Sequence, residues 1–467
     1  MLMKRILFSL CLSTLLISCK SEEKEKFDLL ILNASIVDVA SGKILQDRMV
    51  GISGDTIRFV GKMEDSDNYE GDKTLDAENK FLMPGLWDMH VHFRGGDTLV
   101  DENKNFLPLF LAHGITTVRD AGGDITPSVL EWRKQIAKGS LDGPRIFSSG
   151  PKLDGDVPAW SGSIQISDSE DIERALDSLE AMGVDYVKMY DGNLTKEMFY
   201  EIIKAAEKRD LKTTGHMPLS ANYLEAIDYG LDGTEHMYYA LKAGSPIADS
   251  LTKLNLGYGM MDQIIETYDP ELAQQVFDKM VAKDVYVTPT VHIGKTLAEM
   301  LDVDHSQDSL LAYMGPGVRQ SYQGRIESAK RARAAGSSSR SKMEQQTSSM
   351  LVPMYKTGVK LLAGSDSGAF NSYVYPGGSL HDELQSFVKA GLSPQQALTT
   401  SVIYGPSFFG LEEFYGGVSE GKVGDLVLLE NNPLEDIENI RRIKAVIIGD
   451  KIFEKEDLNE MLSEIKK

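Results

Sequence analysis

The stretch FLMPGLWDMHVHF, residues 81–93, sets two imidazoles one residue apart at the end of an apolar run. Residues i and i+2 of a β-strand share a face, so His90 and His92 project together while Val91 points the other way. Pro84 and Gly85 break the chain before this strand and Gly95-Gly96 break it after, which puts the pair at the strand's C-terminal end. Two imidazoles so placed grip one metal ion, or they are polar residues at an ordinary strand end. The rest of the chain decides by supplying the missing ligands or failing to.

Outward from this stretch the pattern alternates strand with helix. Candidate strands are 86–92 (LWDMHVH), 116–119 (TTVR), 145–148 (RIFS), 185–190 (DYVKMY), 212–216 (KTTGH), 233–236 (GTEH), 285–291 (VYVTPTV) and 359–365 (VKLLAGS). Helices fall between them, with start signals at Ser167/Glu170, which have capping-box spacing, and at Ser393-Pro394-Gln396. Eight such units over 81–414 predict an α/β fold, a (β/α)8 TIM barrel with its active site where the strands end. The longest gap, 292–355, contains RARAAGSSSRSKMEQQTSSM, which lacks an apolar stripe and reads as a helical insertion or a lid. Short alternating runs at 28–80 and 415–455 predict a small β-sandwich domain built from both chain ends.

The first residues, MLMKRILFSLCLSTLLISCK, carry Lys4-Arg5 before an apolar run too short for a retained membrane span, which predicts a signal peptide over 1–19. Its end, Leu16-Ile17-Ser18-Cys19, resembles the bacterial lipobox, which implies a lipid on Cys19 and attachment to the cell envelope; 20–27 then reads as a tether. Cys11 lies in the removed segment, so the mature chain keeps one cysteine and forms no internal disulfide. The net charge of -21 over 467 residues argues against nucleic acid and against attraction to an anionic membrane surface, leaving lipid as the sole membrane contact.

Ligand-type residues concentrate at the predicted strand ends. His90 and His92 end the first strand, Lys188 lies in the fourth, His216 and His236 end the fifth and sixth, and Asp366 follows the eighth. A lysine buried among metal ligands sets a cation beside cations, which electrostatics disfavours unless its charge changes. A neutral amine reacts with carbon dioxide, and the anionic carbamate on Lys188 then bridges two divalent ions at about the 3.5–4 Å spacing of two-metal sites. The bland alternative pairs Lys188 with Asp185 or Asp191. Tyr190, on the face of Lys188, reads as a substrate donor or a pocket wall, and His381 as a substrate contact or a helix cap. Arg94 and Arg119 read as an anion clamp or as partners of Asp97 and Asp120.

In combination these residues resemble the amidohydrolase superfamily, in its branch of imidazolonepropionases and metal-dependent Xaa-Pro dipeptidases. The segments MPGLWDMHVHF, YVKMY, TTGHM, GTEHM and AGSDSG carry the resemblance, with LHDELQSFVKAGLSPQQAL and GKVGDLVLLENNPLEDI in support. It implies that His90, His92 and Asp366 hold one metal, that His216 and His236 hold a second, and that carboxylated Lys188 bridges them. Zinc is the expected ion. A hydroxide bridging the metals would then attack an amide or peptide bond of a dipeptide or N-acyl amino acid, with Asp366 as the catalytic proton carrier. The same site serves a lactonase or phosphoesterase, and a metal-binding envelope lipoprotein without catalysis is the non-enzymatic alternative. The resemblance leaves room for a homo-oligomer. One departure concerns the loop after the third strand, SSGPKLDGDVPAWSGS, which lacks the histidine that Xaa-Pro dipeptidases carry there; Asp154, Asp156 and Trp160 form another specificity pocket or only a turn.

Overall fold

The computed structural model describes residues 24–466. The expected signal peptide and Cys19 lie outside the described residues, and among those described no helix is long and apolar enough to cross a membrane. The chain enters the fold in β1 (Glu25–Asp38), so the predicted tether is already strand from Glu25. An antiparallel meander follows through β2 (Lys43–Ser53) and β3 (Thr56–Lys62). On its other edge β1 pairs in parallel first with β4 (Tyr69–Asp76) and then with β5 (Phe81–Pro84). The changeover follows a register break between Ile31 and Ala34, where Asn33 takes φ +52°, a conformation asparagine tolerates better than most residues. The FLMP of the diagnostic stretch therefore belongs to the small sheet, and the strand that carries the imidazoles begins only after Gly85.

The central strands run parallel. β6 (Leu86–Val91) pairs with β7 (Ile115–Asp120), which pairs with β8 (Arg145–Ser148). Two short strands, β9 (Leu153–Asp154) and β10 (Ile164–Gln165), lead to β11 (Val187–Met189) and β12 (Thr213–Gly215). The set continues with β13 (Gly233–Glu235), β14 (Tyr286–Thr288) and β15 (Lys360–Leu361). Asp185 N donates to Ser148 O at 2.9 Å, joining the β8 edge to the approach of β11. At the other margin Met89 N donates to Ala363 O at 2.9 Å and Asp366 N to His90 O at 2.7 Å, so the segment after β15 returns to β6. Gly364 permits this approach, since a Cβ there would stand 2.7 Å from that of His90.

The chain ends by rejoining the first sheet through β16 (Leu426–Leu429), β17 (Ile443–Ile448) and β18 (Lys451–Glu454), with β16 paired to β5. The anticipated sandwich is thus one eight-stranded sheet branching at β1, and its interior is closed by Leu29, Ile31, Ile36, Leu82, Leu428 and Ile447. A terminal helix, Lys455–Ile465, absent from the sequence reading, packs on the helix Phe106–Ala112.

Other local expectations shift as well. Residues 285–291 are strand only to Thr288, because Val291 already begins a helix whose first amides are capped by buried Glu383. Asp168, not Ser167, caps Ser169–Met182 by accepting from Asp171 N, whereas the Ser393/Gln396 capping box forms as predicted. The gap at 292–355 is helical, with helices Gln323–Ala334 and Ser339–Thr357.

Candidate active site

The ends of β6, β12 and β13 and the segment after β15 deliver four imidazoles and one carboxylate to a common centre. His90 directs Nδ1 to Glu235 Oε2 at 2.6 Å, and His92 directs Nδ1 to Gly122 O at 2.9 Å. Donation from both Nδ1 atoms leaves both Nε2 lone pairs facing inward, where the two atoms stand 3.2 Å apart. Asp366 Oδ1 completes the group at 3.5 Å from His90 Nε2 and 3.2 Å from His92 Nε2. Ligand atoms of these three buried residues lie within 4.8 Å of one another, a spacing that suits a divalent ion.

A second imidazole pair faces the first. His236 places Nδ1 against Thr290 Oγ1 at 2.5 Å, His216 places its own against Asp191 Oδ1 at 3.2 Å, and their Nε2 atoms meet at 3.1 Å. Asp366 Oδ2 lies 3.9 Å from His236 Nε2, between the two pairs. Burial lowers His90, His92 and His236 below the usual imidazole range, towards the neutral form that ligates metal. Burial pushes the Asp366 carboxyl up, but the surrounding imidazoles, His90 foremost, outweigh it and keep the group well below the usual carboxylate range. Backbone strain gathers here: His236, Thr290 and Asp366 take φ of +62°, +51° and +56°, each a conformation costing about 1–3 kcal/mol that the surrounding structure must hold.

Lys188 lies at the bottom of this centre, 1% exposed, its Nζ without a hydrogen-bond partner among the described residues. Neither Asp185 nor Asp191 pairs with it, since Asp185 accepts from Arg133 and Asp191 faces His216 and Tyr258. Its nearest carboxylate is Glu235 Oε1 at 3.4 Å. Burial lowers the ammonium pKa to about 8 against the opposing pull of Glu235.

Glu235 was not anticipated. Fully buried, it accepts from Arg119 Nη2 at 2.7 and 2.9 Å and from Thr214 Oγ1 at 3.1 Å while receiving His90 Nδ1. Arg119 therefore pairs across the fold and not with its neighbour Asp120. Burial alone would raise the Glu235 carboxyl, but Arg119, Lys188 and His90 together hold it well below its ordinary value.

His216, His236 and Asp366 open onto a cavity of about 420 Å³ lined by Tyr190, Tyr238, Tyr258, Ile293 and Met343 among others. Tyr190 lines this cavity, its ring 4.5 Å from that of His216. The expectation for His381 is corrected: it sits on the helix Gly378–Ala390 and donates from Nε2 to His113 O at 2.8 Å, in the helical layer away from this cavity. In the atypical loop, Asp154 accepts from the amides of Gly155, Ala159 and Asn193, and is a turn organiser. Trp160 faces the site, with Arg94 4.4 Å and Lys152 5.1 Å from its ring. Arg94 does not pair with Asp97; its Nε donates to Ala369 O at 2.8 Å.

A profile described as the amidohydrolase family matches residues 81–453. The chain belongs to the amidohydrolase family. Membership makes it a hydrolase of carbon–nitrogen bonds, in a family that is generally metal-dependent, and it accords with the resemblance carried by the strand-end motifs. An ochratoxinase of Aspergillus niger is 24% identical over 473 aligned residues, which span 89% of this chain and 84% of that protein. Among solved structures, a Xaa-Pro dipeptidase with methionine in its active site superposes with TM-score 0.67 at 19% identity, over 91% of this chain and 99% of its own. A bottromycin amidohydrolase gives TM-score 0.71 at 18% identity, over 93% and 90%. These neighbours, Xaa-Pro dipeptidase-like amidohydrolases among them, make the α/β architecture of this amidohydrolase TIM-barrel-like.

Proposed function

We propose that this amidohydrolase uses two divalent metal ions, zinc foremost, to hydrolyse an amide bond in a dipeptide or N-acyl amino acid, within a closed eight-stranded barrel. The observation that carries this reading is the pairing of inward-facing Nε2 atoms at 3.2 and 3.1 Å with Asp366 between them. For His90 and His92, whose Nδ1 atoms both donate, two lone pairs at that distance repel unless a cation stands between them. His90, His92 and Asp366 would hold one ion, and His216 and His236 the other. When bound, such ions lower the pKa of coordinated water from about 15.7 towards neutrality and polarise a carbonyl oxygen.

The chain's own residues do the rest. Lys188, depressed to about 8, reacts in its neutral form: its nitrogen bonds to the carbon of carbon dioxide and releases a proton, leaving an anionic carbamate. That group would give the orphaned Nζ position the negative charge a bridge between the imidazole pairs requires. Asp366, ionised and flanked by both pairs, takes the proton of the attacking water and returns it to the leaving amine. Tyr190 orients substrate from the cavity wall. Glu235, accepting from His90 Nδ1, fixes the tautomer that turns Nε2 towards the ion.

Elemental analysis of the purified protein, joined to a hydrolysis screen over dipeptides, N-acyl amino acids, lactones and phosphoesters, tests the reading. Two metal equivalents and turnover of amides are the expected result, with His216→Ala losing mainly one equivalent. Absence of metal from active protein, or turnover confined to lactones or phosphoesters, would refute it.

Envelope placement is a separate proposal that rests on the Leu16–Cys19 motif. Cys19→Ala should release the protein from membrane fractions or block its maturation. Identical soluble fractionation of both forms would exclude a lipid anchor.

A further inference from the structure

The helical segment between β14 and β15 brings two arginines over the site. Arg325, on Gln323–Ala334, and Arg340, on Ser339–Thr357, both line the cavity that holds His216, His236 and Asp366. Both are half-buried, and neither has a carboxylate partner among the described residues. Arg325 reaches only Asn371 Oδ1, at 3.5 Å. In a chain of net charge -21 this is unusual, and Arg333 on the same helix shows the ordinary outcome by pairing with Asp302 at 2.6 Å.

The carboxylates that line the cavity are all engaged elsewhere. Asp191 accepts from Tyr258 Oη at 2.8 Å, Glu344 from Ser348 Oγ at 3.0 Å, and Asp366 from Asn371 Nδ2 at 2.7 Å. Arg94, buried and 4.4 Å from the Trp160 ring, is a further guanidinium without an acidic partner among the described residues. Placing two half-buried guanidinium groups in one cavity without a carboxylate partner is unfavourable unless an anion arrives to offset them.

We propose that Arg325 and Arg340 form a carboxylate-binding subsite, so that this enzyme takes substrates whose free carboxylate is held by the insertion while their amide carbonyl reaches Asp366. The inference rests on the amidohydrolase reading above and narrows its substrate class to anionic acyl amino acids and peptides over their neutral counterparts. Guanidinium suits the task because its planar fork matches a carboxylate with two parallel hydrogen bonds. Parts of the inner face of 292–355 meet this cavity and not core, which accounts for the missing apolar stripe.

Binding measured by calorimetry on the full-length, metal-replete protein separates this from catalysis. The probes are hippurate and its neutral amide, hippuramide, which differ only in the carboxylate. Hippurate should bind at least about 10-fold more tightly, the effect of one charge-assisted hydrogen bond. R325Q and R340Q should each weaken hippurate by about 10-fold and leave hippuramide within about 2-fold, while the surface variant R333Q changes neither. Equal affinity for the two probes, no hippurate binding, or a preference that survives in the double variant R325Q/R340Q would overturn the subsite. If hippurate is discriminated but no amide is ever cleaved, the subsite stands and the catalytic reading falls. If neutral amides are cleaved as fast as their acids, the reverse holds.

Discussion

Lys188→Ala should reduce turnover by more than about 100-fold, beyond the roughly 10- to 100-fold that follows loss of a group standing behind a metal ligand. Lys188 Nζ is buried, lacks a hydrogen-bond partner among the described residues and has its pKa drawn down to about 8. A lysine kept only for structure would be expected to close a full ion pair, yet the nearest carboxylate oxygen stands 3.4 Å away and is already committed to Arg119. The unsatisfied amine fits a group completed by carbon dioxide. Short carboxylates such as acetate or propionate, supplied at high concentration, should partly restore metal content and activity to Lys188→Ala by entering the space the side chain leaves. Two readouts are informative together: metal stoichiometry and turnover, each with and without the carboxylate. Full activity in the variant would exclude the bridge, and so would full metal content at unchanged turnover.

The candidate ligand residues were legible because a metal site needs side chains of few kinds, and parallel strands bring distant segments to one end. His90 and His92 are adjacent by the two-residue period of a strand, and His216, His236 and Asp366 follow from the same placement. Glu235 was invisible to that rule. It precedes His236 directly, so a regular strand would turn the two to opposite faces, but β13 ends at Glu235 and His236 swings to φ +62°, which brings both side chains inward. Arg119 misled in the same way: its sequence neighbour Asp120 is an obvious partner, while the real one lies 116 residues away. His381 was drawn towards the site by its position after the eighth strand, yet the helix that carries it turns the ring outward to His113. Arg325 and Arg340 lie on helices whose composition gave no face to read, because part of that face meets a cavity.

The buried charge network beneath the candidate metal site should be as critical to stability as Lys188 is to turnover. Glu235→Ala removes the acceptor shared by Arg119, His90 and Thr214, and with it the carboxylate nearest Lys188, all in the interior. Deleting one member of a buried ion pair costs about 3–5 kcal/mol, because the remaining charge is left without compensation. Arg119 would suffer most. Its Nη2 donates to Glu235 and to Thr288 Oγ1, while its Nη1 has no partner among the described residues to take up the loss. The expected result is a lower denaturant midpoint at unchanged slope, together with loss of metal from the His90 site, since Nδ1 of that imidazole no longer has the carboxylate that fixes its tautomer. A paired substitution separates the two effects. Arg119→Met with Glu235→Leu replaces the ion pair by apolar groups of similar size, an exchange that is often neutral or stabilising. Stability should largely return in that variant while metal affinity and activity do not. A Glu235→Ala protein destabilised by less than about 1 kcal/mol would show that solvent or a shifted side chain compensates Arg119, and that the network does not hold the site together.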